Sequence, residues 1–345
     1  MSVFKYFRFW IPVLIIGGLI VGSFLVPIVY PDFEESEHPY LRDSETSKII
    51  ARAPYSPSEM PPIGSDKLGR SQFLLLMDGA KYTLLSALAI ALFRMIGGFI
   101  SGLFYAFMPG WFRSGFKGLW DTFNFIPLAI IGFILLYPLQ IQFEDGGLPS
   151  IKFLLIEIAV ISIMVIPSLG MYVGQGMNDY LKHEFIVASR QMGASRFHLI
   201  RKHLLPHFSR HSVVMFSEQV SQTLVLLIQL GILHICLGGL RTDVFGFTDI
   251  PAYFSVTNEW AATISININQ VFIRPYLVLS PLFFFAIAIY CVNEISSVLR
   301  IVLIGGNPVG MKQVSKKKKQ LTKTGELEPE KEEFTLINNK ADKAC

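Results

Sequence analysis

Six long apolar stretches constrain this chain more than any other feature. They run at roughly 9–30, 83–107, 119–139, 151–175, 212–238 and 275–304. About 20 apolar residues rising 1.5 Å each are enough to cross the hydrocarbon core of a bilayer. Inside that core every backbone amide and carbonyl must be paired, and a helix does this within its own segment. Composition agrees: 52% of residues are hydrophobic and 16% are charged, against about a quarter charged in soluble domains. The expected fold is all-α: a polytopic membrane helix bundle with about six transmembrane helices.

The first run follows Lys5 and Arg8. It is too long for the apolar core of a secretory signal and no small-x-small cleavage pattern follows, so it reads as a retained anchor. The expected division is 1–30 for the N-terminus and first span, 31–82 for an extracellular loop, 83–305 for the transmembrane domain with a loop at 176–210, and 306–345 for a tail. The tail is polar and Lys/Glu-rich, a composition that favours disorder.

Charge placement sets an orientation. With the N-terminus inside, Arg113, Lys117, Lys182, Arg190, Arg196, Arg201, Lys202, Arg210 and the Lys316–Lys319 run fall on the cytoplasmic side, whereas the short loop between the third and fourth spans carries Glu144 and Asp145. That is the positive-inside pattern. The expected location is a bacterial cell membrane, multi-pass, with both termini cytoplasmic. The lysine run reads as a membrane-proximal charge rather than a nucleic-acid patch.

Within the spans, Gly98 and Gly102 stand four apart, as do Gly170 and Gly174. Small residues at that spacing let helix backbones approach. Pro127 and Pro167 are expected to kink the spans that hold them. Arg94 sits near the middle of the second run, where a charge is costly. It reads either as a cation lining a translocation path or as a buried arginine satisfied by a neighbouring helix. Glu218, Gln222 and Gln229 recur at spacings of four and seven, which puts them on one face turned toward water or protein. Glu157 reads as a group snorkelling at the outer end of the fourth span, and His234 as a hydrogen-bonded structural histidine. Cys236, Cys291 and Cys345 have no ligand spacing, so no metal site is expected.

The loop at 176–210 is the most informative stretch. Leu181, Phe185, Ala188 and Met192 share a face at helical spacing. Gly193 is suited to positive φ just past a helix end, and Ser195 can cap a second helix. There Phe197, Ile200 and Leu204 share a face, and Pro206 is expected to stop the helix before the next span. The result is a helix–glycine–helix elbow. It reads either as a helix lying on the headgroups or as a docking element for another protein.

Here the sequence resembles the permease subunits of ATP-binding-cassette importers, in particular the dipeptide/oligopeptide/nickel class. The stretch Val187-Ala188-Ser189-x-x-x-Gly193-Ala194, followed by Leu205-Pro206, is similar to that family's Glu-Ala-Ala loop. Val187 stands where glutamate is usual and Ser189 where alanine is; Glu184 lies one turn earlier. The resemblance implies a cytoplasmic coupling helix that seats on a separate ATPase, with Glu184, Val187, Ala188, Ser189, Gly193, Ala194, Leu205 and Pro206 as contact residues. Gly64, Asp66, Gly69 and Arg70 match an external Gly-Thr-Asp-x-x-Gly-Arg-Asp signature of the class, with Ser65 and Ser71 as departures. On residue grounds this is a polar turn that an Asp66–Arg70 pair can close. Asn258-Glu259-Trp260-Ala261 with Arg274-Pro275-Tyr276 resembles a motif before the last span. Asp121 and Pro127 match a spacing in the third.

The chain has no Gly-x4-Gly-Lys-Ser/Thr phosphate loop, so no cofactor is expected on it and a partner must hold ATP-Mg. The resemblance further implies a second homologous permease subunit, one or two ATPase subunits, and an extracellular substrate-binding lipoprotein. The cargo would be peptides, or nickel and metal chelates. It does not imply an enzyme. Two rivals are a membrane partner that senses peptides or drugs without moving them, and a secondary transporter, which would show midplane acid pairs or inverted repeats.

Overall fold

The computed structural model describes residues 7–33, 40–42, 49–123, 125–244 and 251–304. Lys5, the Lys316–Lys319 run, Cys345 and the rest of the tail lie outside the described residues.

Among the described residues, five helical segments are long and apolar enough to cross a membrane: Phe7–Val29, Gln72–Phe107, Ser150–Tyr180, Arg196–Ile232 and Tyr276–Ile304, with Leu128–Glu144 as a shorter apolar helix. In chain order these are α1 (Phe7–Val29), α2 (Gln72–Phe107), α4 (Leu128–Glu144), α5 (Ser150–Tyr180), α8 (Leu205–Ile232, continuous with the turns from Arg196) and α10 (Tyr276–Ile304). Between them lie α3 (Gly110–Phe123), α6 (Glu184–Gln191), α7 (Arg196–Leu199) and α9 (Trp260–Asn267). Two antiparallel two-stranded ribbons complete the described structure, β1 (Tyr40–Arg42) with β2 (Ile49–Arg52), and β3 (Leu240–Val244) with β4 (Pro251–Ser255). The chain is an all-α, multi-pass membrane bundle.

The third apolar run differs from its expected form. Residues 119–139 are not one span: α3 ends at Phe123 and α4 begins after Pro127, which is the residue preceding the helix rather than a kink within it. Proline disfavours helix in the residue before it, so the break falls there. Asp121 and Pro127 therefore do not share a span. Pro167 does lie inside α5. The second span starts at Gln72, earlier than its apolar run, because Asp78 and Lys81 pair with each other at 2.6 Å inside the helix. The fifth ends at Ile232 rather than 238.

The core is built on α2. It runs along α5 over most of its length, and α8, α9 and α1 pack around it. The glycine pairs lie at the α2–α5 contact. A Cβ on Gly102 would stand 3.1 Å from the Gly170 oxygen and 3.1 Å from the Gly174 nitrogen, and one on Gly98 would press on Leu169 at 2.7 Å. Leu76, Ile90, Leu136, Leu224, Trp260 and Phe285 fill the main apolar core. Burying each such side chain contributes about 1.5–3 kcal/mol relative to water, although against lipid the gain comes from packing.

Basic residues gather at one end of the bundle, with Asp179 among them. Arg113, Lys117 and Lys182 line one shared cavity with Tyr105 and Gln175, which brings the C-terminal ends of α2 and α5, α3 and the elbow to the same end of the bundle. Glu144 and Asp145 close α4 just before α5 starts.

Candidate functional site

The elbow begins where α5 ends. Leu181 caps it, and Lys182 pairs with Asp179 at 2.7 Å. Helix α6 follows, with Glu184 in its first turn and Arg190 in its last, the arrangement its dipole favours. Met192 caps α6, and Gly193 turns the chain at φ +93°. The Gly193 amide donates to the Arg190 carbonyl at 3.0 Å and that of Ala194 to Ser189 at 3.2 Å, so orphan carbonyls of the last turn are satisfied. Space does not demand the glycine, because a Cβ there would meet nothing within 4 Å. The backbone conformation does. Ser195 Oγ accepts from the His198 amide at 3.2 Å and starts α7.

What faces outward differs from the periodic reading. Ile186 is the one residue of α6 that is buried, while Phe185, Val187 and Ala188 are exposed and Met192 is 83% exposed. In the second helix Phe197 is 70% exposed, and Leu199 and Leu204 are the buried pair. The cause is a π-helical turn over Ile200–Leu204. Its wider pitch brings residues five apart onto one side, so a 3.6 period places the wrong residues inward. Nor does Pro206 stop the helix. It sits in the first turn of α8, where a missing donor is tolerated, and the helix runs on from Arg196 to Ile232. Leu205 is half-exposed. The elbow thus presents Phe185, Val187, Met192, Phe197 and Leu205 outward on a short rigid hairpin of helices.

The turn at 63–72 is closed as its residues suggest. Asp66 pairs with Arg70 at 2.7 Å and also accepts from the Leu68 and Arg70 amides at 3.0 and 2.8 Å. Gly64 and Gly69 take positive φ, +100° and +84°. Ser65 Oγ accepts from the Tyr55 amide, and Lys67 donates to the Ile266 carbonyl at 2.7 Å. Burial pulls the Lys67 pKa below the ordinary lysine value. The turn is bolted to the α9 region.

Arg94 is 1% exposed. Its guanidinium donates to the Ile161 carbonyl at 3.1 Å and to Thr223 Oγ1 at 2.9 Å, which ties α2 to α5 and α8. Glu218 pairs with Arg300 of α10, Gln222 accepts from Gln219, and Gln222 and Gln229 are exposed. The structure does not bring Arg94 together with these three.

Sequence reasoning marked Glu259 and Trp260 as part of a family-like motif but did not foresee the buried centre they form around α9. Glu259 caps that helix: its carboxylate accepts from the amides of Ala261, Ala262 and Leu237, each at 3.1 Å. Trp260 is fully buried; its amide donates to Thr83 Oγ1 at 3.1 Å and its indole to the Leu76 carbonyl at 2.7 Å. Glu157 does not snorkel. It is fully buried and accepts from the Gly238 amide at 2.8 Å. His234 is hydrogen-bonded as expected, to Ser265 at 2.8 Å. The available signal was an acid standing within or beside apolar sequence.

Residues 96–233, from the second half of α2 through the elbow to the end of α8, match the family described as "Binding-protein-dependent transport system inner membrane component". Over that central stretch the chain is similar to the permeases of this family. The chain is also similar to "Peptide transport system permease protein SapC" of Escherichia coli O6:H1, with 22% identity over 71% of this chain and 73% of that protein. The Shigella flexneri protein of the same description is 22% identical over the same shares. That of Salmonella typhimurium is 21% identical, again over 71% and 73%. The family match encloses the whole elbow, whereas the 63–72 turn and the α9 centre lie outside it.

Proposed function

We propose that this chain is the membrane-spanning subunit of an ATP-driven importer of peptides, and that its elbow seats on a separate ATPase. The observation that carries the reading is the elbow itself. Two short helices joined at Gly193 expose an apolar set at the end of the bundle where the basic residues gather. That end faces the cytoplasm by the positive-inside rule. Closure of the ATPase on ATP would move the elbow as a unit, and α5 and α8, continuous with its two sides, would carry the movement into the bundle. Peptide cargo is supported by the SapC relatives, which are peptide transport system permease proteins. A second permease subunit would pair along an open apolar groove of about 710 Å³ between α4 and α5, lined in part by Leu128, Ile131, Ile163 and Met164. The ATP-Mg belongs to the partner, and a binding protein outside would deliver the cargo to the 31–82 loop and the α9 region.

The test is co-purification with the ATPase, followed by uptake of a peptide pool into proteoliposomes. ATP-dependent uptake supports the reading. Association without uptake would mark a sensor, and no association would remove it.

A further inference from the structure

Five of the seven histidines of the chain lie between residues 183 and 211. Three of them, His203, His207 and His211, are spaced four apart along the π turn and the start of α8, with Lys202 and Arg210 beside them. These five basic side chains line one cavity of about 390 Å³. Among the described residues no acidic one lines it. Neither Lys202 nor Arg210 joins an ion pair among the described residues. The rest of the wall is of another kind. Tyr180, at the end of α5, stacks on His207 with ring centroids 3.9 Å apart and planes 13° from parallel. Leu303 and Ile304, the last residues of α10, supply an apolar side. The π turn has a structural consequence here, since it sets the rotation of His203 relative to His207 and so helps fix which residues face the cavity.

Two permanent cations and three imidazoles with no counter-acid call for an anion with several acceptor oxygens. The cavity lies where the ends of two membrane-spanning helices meet the start of a third, which is headgroup depth. Its apolar wall continues from a membrane-spanning helix, as an amphiphile requires. We infer that this cavity binds the phosphate of an anionic phospholipid, with the headgroup against Lys202, Arg210 and the histidines and an acyl chain leaving along Leu303 and Ile304. A lipid so placed would brace α10 against the base of the elbow. The inference rests on the proposed orientation only in placing the lipid in the cytoplasmic leaflet. Loss of ATP-driven uptake with lipid selectivity intact would damage the transport reading and leave this one standing.

The test uses the full-length permease in detergent micelles and measures binding of spin-labelled phosphatidylglycerol against phosphatidylcholine. The unaltered chain should prefer phosphatidylglycerol. Each basic residue near an anionic surface is worth about a fivefold change in affinity, so the double variant Lys202→Gln/Arg210→Gln should lose about thirtyfold of that preference. The charge-preserving Lys202→Arg/Arg210→Lys should keep most of it. Should the double variant fail to fold, Arg210→Gln alone is expected to lose about fivefold. Equal binding of both lipids by the unaltered chain overturns the proposal. So does full competition by inorganic phosphate, which would make this a free-anion site. Loss of ATPase binding with lipid preference unchanged would assign the patch to the partner protein and overturn it as well.

Discussion

Gly174 of α5 lies so close to Gly102 of α2 that it has no room for a side chain. A Cβ on Gly174 would stand 2.7 Å from the Gly102 carbonyl oxygen and 2.8 Å from the Tyr105 ring. The opposing atom is backbone and cannot move aside cheaply. Gly174→Val is therefore expected to cost about 1–3 kcal/mol through overpacking, seen as a lower melting temperature of the purified permease. Gly18→Ala is the control. A Cβ there meets nothing within 4 Å, and alanine suits a helix better than glycine by about 0.5–1 kcal/mol. Equal melting of the Gly174 variant and the unaltered chain would show that the two helices are not packed this way.

Glu259 predicts a pH dependence of stability. Burial raises its pKa from 4.5 to about 7, against the opposing pull of the Ala261, Leu237 and Ala262 amides and the Thr83 hydroxyl. Folding therefore takes up a proton between those two values. The stability this contributes is fully present below pH 4.5 and is lost as pH rises through 7, amounting to about 3 kcal/mol. Melting temperature should fall across that window. Glu259→Gln should flatten the profile, and should melt lower than the unaltered chain near pH 4.5, by roughly 1–3 kcal/mol, because an amide keeps one acceptor oxygen where the carboxyl group used two; the gap should close as pH rises through 7. A profile unchanged by the substitution would mean that another group is titrating.

How much of this was legible in the sequence depends on the range of each signal. The glycine pairs were readable because four-residue spacing is a property of one helix. The turn at 63–72 was readable because Asp66 and Arg70 are four apart and close on each other. The third span was not, because Leu119, Trp120 and Phe123 at the end of α3 lead into the apolar residues of α4 and hide the break before Pro127. The π turn escaped because pattern reading assumes one period throughout. The α9 centre escaped for a different reason. Glu157 and Gly238 are 81 residues apart, as the hydrogen bond between them requires no local pattern. Such contacts are set by how helices dock.

Arg94 offers a test that separates holding the bundle from lining a path. Its donors are spent on the Ile161 carbonyl and the Thr223 hydroxyl, on two other helices. Hydrogen bonds to a charged group are worth about 1.5–3 kcal/mol each. Arg94→Met should therefore lower the yield and melting temperature of the assembled complex, while transport per assembled complex stays within about twofold of the unaltered level. A normal melting temperature with lost flux would instead put the guanidinium on the path.

Gly193 is the position where local strain and the proposed coupling meet. Its φ of +93° is a conformation that a β-branched residue adopts only under strain, and a Cβ there would meet nothing within 4 Å. A substitution there acts on the elbow angle alone. For a side-chain-bearing residue the left-handed region costs about 1–2 kcal/mol, enough to favour a different angle between α6 and α7. If the ATPase pulls on this elbow, Gly193→Val should leave hydrolysis running while uptake per ATP falls by about tenfold. Asparagine tolerates positive φ better than other residues with a side chain, so Gly193→Asn should recover most of the lost ratio. The measurement is uptake and phosphate release in the same proteoliposomes. The ordering Gly, then Asn, then Val is the signature of backbone geometry, because it follows tolerance of positive φ rather than side-chain size. Equal ratios in all three would show that the elbow angle does not carry the stroke.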